Sequence, residues 1–338
     1  MKGWKIVKPF ELKEEEIPEQ VGQNSLIKVK ITKALVTLDD VLMYRGEDEG
    51  DAVVLGSAGV GVVSESKTNL FGLEKGSHVY IEPVRQCNSC YMCKNKKYDK
   101  CTNLQTAGCD FNGFLSDFTA VEPENLFLLP ECISDLEALF IEHISLALSV
   151  VDKLNIQKGD YVAIMGGNNL GNILAQLLIY YQAVPILITA DDENMQIAKD
   201  SGIYYVLGKD DNWQKEVSNI TGGRMPKSIV NIADCNISAP KVFALAGFNT
   251  PIAFIGSPNK NTTIPFAQAI KKQLDIHCIS SCVGNTASSI NLIANKAINL
   301  THLKLDTSLY QDIPSSLEKM SQMLDSEGKI YEMIVDIV

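Results

Sequence analysis

The stretch CNSCYMCKNKKYDKC, residues 87–101, is the most informative part of this chain. Cys87, Cys90, Cys93 and Cys101 combine two Cys-x-x-Cys steps with a short loop, a spacing typical of a tetrahedral four-thiolate zinc site. The lysines in the same stretch would offset part of the negative charge of four thiolates. A run of free or disulfide-paired thiols is the alternative interpretation, which this spacing in an intracellular chain does not favour. Because protein fills all four positions, the predicted zinc is structural and has no place for a substrate.

The size and composition of the chain limit its class and its partners. At about 150 residues per domain, 338 residues predict two domains, and 46% hydrophobic residues predict a sizeable core. The net charge of −11 argues against a nucleic-acid partner, because a phosphate-binding surface needs an excess of basic residues. No apolar run approaches the roughly 20 residues that span a bilayer, and the N-terminus lacks the apolar core of a signal peptide. We therefore expect no membrane partner and a reducing, cytoplasmic location.

The pattern of the sequence changes near residue 150. Before it, short apolar or alternating runs such as SLIKVKI at 25–31 are separated by Gly, Pro and Asn turns, which predicts a β-rich domain. After it, apolar strands alternate with helices, which predicts a parallel, doubly wound sheet. The strands of this second part are YVAIMG at 161–166, PILIT at 185–189, SIVNIA at 228–233 and PIAFIG at 251–256.

A glycine-rich turn joins the first of these strands to the helix that follows it. Gly166 would make the tight turn and Gly171 would let the helix pack closely on the sheet, as dinucleotide-binding folds require. The middle position, where the backbone approaches the pyrophosphate, is Asn168. Asparagine tolerates left-handed backbone angles, but its side chain would crowd the phosphate. The predicted cofactor turn consists of Gly166, Gly167, Asn168, Asn169, Leu170 and Gly171.

The second strand ends at Thr189, where a ribose-binding acid is expected. Asp191, Asp192 and Glu193 follow. Their carboxylates would repel a 2′-phosphate and no arginine is near to receive one, so NAD(H) is favoured over NADP(H). The departures at Asn168 and Thr189 leave open the alternative of a doubly wound domain that no longer binds a nucleotide.

Taken together, these features resemble the medium-chain dehydrogenase/reductase family, specifically its zinc-binding alcohol and polyol dehydrogenases. MYRG at 43–46, the cysteine stretch, GCDFNGFLSDFTAVEPENLFLLPE at 108–131 and the strand–turn–helix unit occur in the order of that family. The resemblance implies an α/β fold with a GroES-like β-barrel domain and a Rossmann-type doubly wound parallel sheet domain. The implied boundaries are 1–150 for the barrel, with its zinc lobe at 87–101, 151–285 for the dinucleotide-binding domain, and 286–338 for a C-terminal return to the first domain.

The resemblance also implies a homodimer or homotetramer. Members of the family pair through the edge of the cofactor-domain sheet, and PIAFIG at 251–256 suits such a strand.

Two ligands of the family's catalytic zinc are replaced in this chain. That zinc is usually held by a Cys, a His and a third Cys or Glu. The first position, nine residues before Gly46, is Thr37, and the family's Gly-His-Glu run reads Gly56-Ser57-Ala58. Glu142 remains at the third position, and Asp40 matches the acid usually found near the first ligand. Hydroxyls cannot replace the imidazole and thiolate donors, so we predict that the catalytic zinc is absent and that Thr37, Ser57 and Glu142 line its former cavity.

Three functions fit these observations. The first is an NAD(P)-dependent oxidoreductase that transfers a hydride to or from a small carbonyl, alcohol or activated alkene without a catalytic zinc, with Thr37, Asp40, Ser57 and Glu142 as catalytic candidates. The second is an alcohol or polyol dehydrogenase with rearranged metal ligands. The third is a non-catalytic member of the fold that binds a ligand or a nucleotide. The resemblance favours the first, with a small-molecule substrate.

Overall fold

The computed structural model describes residues 1–17, 26–48, 50, 54–66, 72–209, 211–235, 237–256, 263–280 and 283–337. The chain divides into two compact units. The first comprises Met1–Glu142, Thr286–Ala294 and Leu305–Val338, and the second comprises His143–Asn285 and Asn295–Lys304. All of 286–338 was expected to return to the first domain, whereas Asn295–Lys304 clusters with the second unit.

The secondary structure follows the two patterns of the sequence. The strands are β1 (Lys2–Lys8), β2 (Glu11–Glu16), β3 (Ile27–Val36), β4 (Ala58–Glu65), β5 (His78–Ile81), β6 (Val84–Arg85), β7 (Gln105–Thr106), β8 (Phe118–Val121), β9 (Leu126–Leu128), β10 (Tyr161–Met165), β11 (Val184–Ile188), β12 (Tyr205–Leu207), β13 (Ser228–Ile232), β14 (Pro251–Ile255), β15 (Asp275–Ile279), β16 (Asp306–Leu309) and β17 (Met333–Asp336). The helices are α1 (Leu38–Arg45), α2 (Tyr91–Lys94), α3 (Asp135–Ala138), α4 (Ile141–Leu154), α5 (Asn169–Tyr180), α6 (Asp192–Asp200), α7 (Trp213–Ile220), α8 (Ala239–Leu245), α9 (Phe266–Lys272), α10 (Thr286–Ala294) and α11 (Ile313–Glu327). Within the described ranges, no helix combines the length and apolarity needed to cross a membrane.

The first unit is organised around a mainly antiparallel sheet. Its strands lie in the order β16-β17-β3-β4-β5-β9, and β8 also pairs with β3. In β3, Ile27, Val29 and Ile31 are fully buried and alternate with lysines, as expected of a strand with one buried face. The C-terminal strand β17 pairs with β3, so the end of the chain completes the sheet of the first unit.

The second unit contains a six-stranded parallel sheet. Its order, β12-β11-β10-β13-β14-β15, is the 3-2-1-4-5-6 order of a doubly wound dinucleotide-binding sheet. The strand β13 is buried along its whole length, as expected when helices cover both faces.

The prediction that PIAFIG forms the edge of this sheet is wrong. It corresponds to β14, which lies between β13 and β15. The edge strand on that side of the sheet is β15, DIHCI, whose part-exposed side chains gave no clear apolar run in the sequence.

Candidate functional site

The four cysteines of the lobe between β6 and β7 bring their Sγ atoms together. All four atoms lie within 4.8 Å of one another, with 3.5 Å between Cys87 and Cys101 and 4.0 Å between Cys87 and Cys93. A tetrahedral zinc with Zn–S bonds of about 2.3 Å would space its sulfurs about 3.8 Å apart. The arrangement therefore fits zinc. Among the described residues, no other group of three or more His, Cys, Asp or Glu side chains converges in this way.

Backbone N–H groups prepare these sulfurs for a cation. The N–H groups of Cys90, Cys93 and Cys87 donate to the Sγ atoms of Cys87, Cys90 and Cys101, each at 3.4 Å. The Cys93 N–H lowers the pKa of Cys90 to about 5, and hydrogen bonds from Ser89 and then from the Cys90 N–H lower the pKa of Cys87. Burial and the neighbouring thiols raise the pKa of Cys93. Four sulfurs this close can all ionise only when a cation balances their charge.

In the same unit, Thr37 and Ser57 are brought together by the pairing of β3 with β4. Leu35 pairs with Ala58 in this ladder, and the Ser57 N–H donates to the Leu35 carbonyl at 2.9 Å. Thr37 follows β3 directly and is the N-cap residue of α1, while Ser57 directly precedes β4. As a result, Thr37 Oγ1 and Ser57 Oγ lie 2.8 Å apart.

Asp40 lies beneath this pair, 1% exposed. Its carboxylate accepts hydrogen bonds from the Ser57 hydroxyl at 2.7 Å, the Gly56 N–H at 2.7 Å and the Thr37 N–H at 2.9 Å. Burial raises the pKa of Asp40 to about 6 although these bonds lower it, so the group is ionised at neutral pH. Because Ser57 gives its only hydroxyl proton to Asp40, Thr37 must be the donor in the Thr37–Ser57 bond.

The structure thus joins three of the four catalytic candidates, Thr37, Ser57 and Asp40, in one hydrogen-bonded chain. Glu142, the fourth, lies half-buried in the first turn of α4. That Glu142 lines the same cavity stays a prediction.

Glu82 is a part-buried acid that the sequence did not indicate as a site residue. It follows β5, and its Oε2 accepts a hydrogen bond from the hydroxyl of Thr286, which is 2% exposed. Burial raises the pKa of Glu82 to about 7. The available signal was an acid at the end of an apolar run, HVYIEPV at 78–84.

In the second unit, the glycine-rich turn follows β10. Gly166 has φ +131°, and a Cβ on Gly171 would lie 2.0 Å from the Gly166 carbonyl oxygen, so both positions require glycine. Asn168 has extended backbone angles, φ −66° and ψ −176°, so the tolerance of left-handed angles expected of it is not used. Instead Asn168 caps α5, and its Oδ1 accepts the Gly171 N–H at 3.1 Å. Its carboxamide therefore covers the start of the helix, where phosphate-binding N–H groups are expected.

The candidate ribose position is filled by Thr189, which is 3% exposed and packs against Gly167. Its Oγ1 accepts the Asp191 N–H at 3.2 Å. The Asp191 carboxylate in turn caps α6 by accepting the N–H groups of Glu193 and Asn194.

The other two acids at the start of α6 have lysine partners. Lys209 Nζ lies 3.5 Å from Asp192, and Lys304 Nζ forms an ion pair with Glu193. The acids expected to repel a 2′-phosphate are therefore partly neutralised, which the sequence analysis did not anticipate.

Known proteins resemble this chain in both of its units. Residues 23–131 match the alcohol dehydrogenase GroES-like domain. An uncharacterized zinc-type alcohol dehydrogenase-like protein of Haemophilus influenzae is 24% identical over 330 residues, which cover 96% of each chain.

Solved structures show the same fold over the whole chain. A short chain alcohol dehydrogenase (rspB) from Escherichia coli CFT073, complexed with NADH, has a TM-score of 0.86 at 22% identity and covers 100% of this chain and 99% of that one. A proposed zinc-binding dehydrogenase from Sinorhizobium meliloti 1021, bound to NADP, has a TM-score of 0.84 at 18% identity and covers 99% of each chain.

A first unit that matches the alcohol dehydrogenase GroES-like domain and a second unit with a sheet in dinucleotide-binding order define the fold of medium-chain oxidoreductases. The match to the GroES-like domain and the similarity to the Haemophilus influenzae protein both point to zinc-type alcohol dehydrogenases within this class. Residues 23–131 thus match the alcohol dehydrogenase GroES-like domain, and the chain is similar over nearly its whole length to a zinc-type alcohol dehydrogenase-like protein.

Proposed function

We propose that this member of the family transfers a hydride between a nicotinamide dinucleotide and a small carbonyl, alcohol or activated alkene without a catalytic zinc. The hydrogen-bonded chain of Thr37, Ser57 and Asp40 carries the proposal. Thr37 and Ser57 occupy the positions where the family has its Cys and His ligands, and hydroxyl oxygens are poor zinc ligands. A carboxylate–hydroxyl–hydroxyl chain is instead suited to moving protons.

Each residue of the chain has a defined part in the proposed proton transfer. A nicotinamide dinucleotide bound at the turn formed by Gly166–Gly171 would supply the hydride acceptor for alcohol oxidation and the hydride donor for carbonyl reduction. In oxidation, the alcohol gives its proton to Thr37 Oγ1, Thr37 gives its own proton to Ser57, and Ser57 gives its proton to the Asp40 carboxylate. Reduction reverses these three transfers and leaves the proton on the new alcohol oxygen. A pKa of about 6 for Asp40 suits both directions near neutral pH.

Without a Lewis acid at this site, we expect substrates whose transition state needs little electrophilic stabilisation. A catalytic metal stabilises the developing alkoxide by several kcal/mol, whereas one hydrogen bond from a hydroxyl supplies about 0.5–1.5 kcal/mol. An activated alkene or a reactive carbonyl accepts hydride with such modest assistance, so we place these ahead of simple alcohols.

We propose two cofactors. One is a structural zinc held by Cys87, Cys90, Cys93 and Cys101, for which the spacing of the four sulfurs is the support. The other is a nicotinamide dinucleotide at the glycine-rich turn after β10, with Gly166, Gly167, Asn168, Asn169, Leu170, Gly171 and Thr189 as its predicted residues. The preference for NAD(H) over NADP(H) stays a prediction.

A non-catalytic, ligand-binding role is the second candidate, and the Asn168 cap favours it. Its carboxamide takes the Gly171 N–H at the start of α5, which weakens the helix end as a phosphate site. An alcohol or polyol dehydrogenase with rearranged metal ligands is the third candidate. A homodimer or homotetramer and a cytoplasmic location stay predictions.

The test combines metal analysis with cofactor titration of the purified protein. We expect one zinc per chain and a change in NADH or NADPH fluorescence that saturates below about 1 mM, the upper end of ordinary Michaelis constants. Two zinc ions per chain would favour the rearranged metal site. One zinc and no binding of either dinucleotide would favour the non-catalytic role.

A further inference from the structure

Lys304 is held at the start of the cofactor helix by its backbone. Asn169, the first residue of α5, donates through Nδ2 to the Lys304 carbonyl at 2.8 Å and accepts the Lys304 N–H through Oδ1 at 3.1 Å. Gln176, two turns along α5, makes the same pair of bonds with the backbone of Asn299, at 2.9 and 2.7 Å. These two amide side chains fix the segment 299–304 along α5 and end it beside the glycine-rich turn.

The side chain of Lys304 reaches from that point to the next helix. Its Nζ forms an ion pair with Glu193 in the first turn of α6. The helices α5 and α6 begin after β10 and β11, at the carboxyl edge of the sheet, where doubly wound folds bind their ligands. Lys304 therefore carries a cation between the start of the pyrophosphate helix and the end of the strand that would hold the ribose.

The residues around the Lys304 ammonium group do not include the ribose-binding acid that usually repels a 2′-phosphate. Thr189 replaces the ribose acid, and the Asp191 carboxylate is directed back to its own helix as a cap. Glu193 carries a single negative charge, whereas a phosphate monoester carries about −1.5 to −2 at neutral pH. A 2′-phosphate would thus compete well with Glu193 for the Lys304 ammonium group.

We propose that Lys304 is a cofactor-binding residue, which pairs with the 2′-phosphate of NADP(H) and lets the site bind NADP(H) within about tenfold of its affinity for NAD(H). The inference rests on the proposed function, because it requires a dinucleotide at the turn after β10. The sequence suggested that Asp191, Asp192 and Glu193 would repel a 2′-phosphate. Lys304 is distant from these acids in sequence, but the Asn169 and Gln176 contacts bring its positive charge near them.

The test is equilibrium titration of the full-length protein with NADH and with NADPH. In Lys304→Met we expect NADPH to bind about tenfold more weakly and NADH to change less than threefold, since one charge-assisted contact is worth roughly that factor. Glu193→Gln should act in the opposite direction and tighten NADPH at least threefold. Lys209→Met is the matched control, because Lys209 pairs with the same helix turn but lacks the backbone clamp, and neither dinucleotide should change more than threefold.

Other outcomes would overturn the inference. Equal weakening of NADH and NADPH by Lys304→Met would place the lysine at the pyrophosphate. No change in either would exclude it from the site. If the unaltered protein binds NADH but NADPH more than a hundredfold more weakly, the inference fails while the proposed function stands. If it binds neither, both fail. Thermal unfolding of each variant separates loss of binding from loss of fold.

Discussion

Two sites of the first unit, the lobe at 87–101 and the group formed by Thr37, Ser57 and Asp40, differ in the atoms that they offer to a metal ion. The lobe at 87–101 has four sulfurs at zinc spacing, supported by three N–H donors. The second site has two hydroxyls 2.8 Å apart above a buried carboxylate. Sulfur at the first and oxygen at the second imply opposite preferences for zinc. The side chains of the two sites can therefore differ independently. The four cysteines of the lobe do not indicate which chemistry the group of Thr37, Ser57 and Asp40 supports.

The largest expected effect comes from breaking the lobe. Cys93→Ser removes one thiolate from a closed site, and structural zinc in small domains is worth about 10 kcal/mol or more of folding energy. We expect the zinc content to fall from one per chain towards zero and the melting temperature to fall by roughly 10 °C or more. Metal analysis and calorimetry check both. Cys109→Ser, outside the lobe, is the control and should leave the zinc content unchanged.

The second prediction breaks the hydroxyl chain instead. Ser57→Ala interrupts proton transfer between Thr37 and Asp40, so the turnover rate on the best carbonyl, alcohol or enone substrate should fall about a hundredfold. Alcohol oxidation by the unaltered protein should rise with pH through about 6, as Asp40 ionises. Thr37→Ser keeps the hydroxyl and should retain most of the activity. Full activity in Ser57→Ala would contradict the proposed proton path, and unchanged zinc content would confirm that the two sites are independent.

A third prediction concerns the candidate cofactor turn, where Asn168 lies at the position at which dinucleotide-binding turns usually have a glycine. Asn168→Gly removes the carboxamide from the start of α5 and frees the Gly171 N–H, so NADH should bind about tenfold more tightly. Glycine as an N-cap costs only a few tenths of a kcal/mol, so thermal stability should hardly change. Asn168→Ser, which keeps a capping oxygen on a shorter side chain, should lie between the two. Weaker NADH binding in Asn168→Gly would show that the carboxamide assists the cofactor.

The smallest expected effect concerns Glu82, a part-buried carboxyl of the first unit. Its pKa is raised in the folded state, from an ordinary 4.5 to about 7, so its contribution to stability is complete below pH 4.5 and is lost as the pH rises through 7. Glu82→Gln should make the unfolding free energy less dependent on pH between 5 and 8, by about 1–3 kcal/mol. Denaturant unfolding measures it. Glu124→Gln, at an exposed position, is the control; an unchanged pH profile in Glu82→Gln would contradict the assignment.

The sequence predicted the fold and the main groups of the site because these depend on local patterns. Cysteine spacing fixed the lobe, and the strand–turn–helix pattern predicted the dinucleotide-binding sheet, which the strand order and the fold comparisons confirm. The edge strand β15 was missed because its side chains are part-exposed and the polar Asp275 and His277 interrupt its apolar residues. Lys304 and Glu82 were missed for another reason: their partners are Asn169 and Thr286, more than a hundred residues away, so their roles arise only from folding.

The most direct test of the account is the zinc content of the unaltered protein, purified without added metal and measured against chain concentration. The account predicts one zinc per chain, lost together with the lobe in Cys93→Ser and retained in Ser57→Ala. Two zinc ions per chain, with the second lost in Ser57→Ala, would contradict it, because Thr37, Ser57 and Glu142 would then hold a catalytic metal after all.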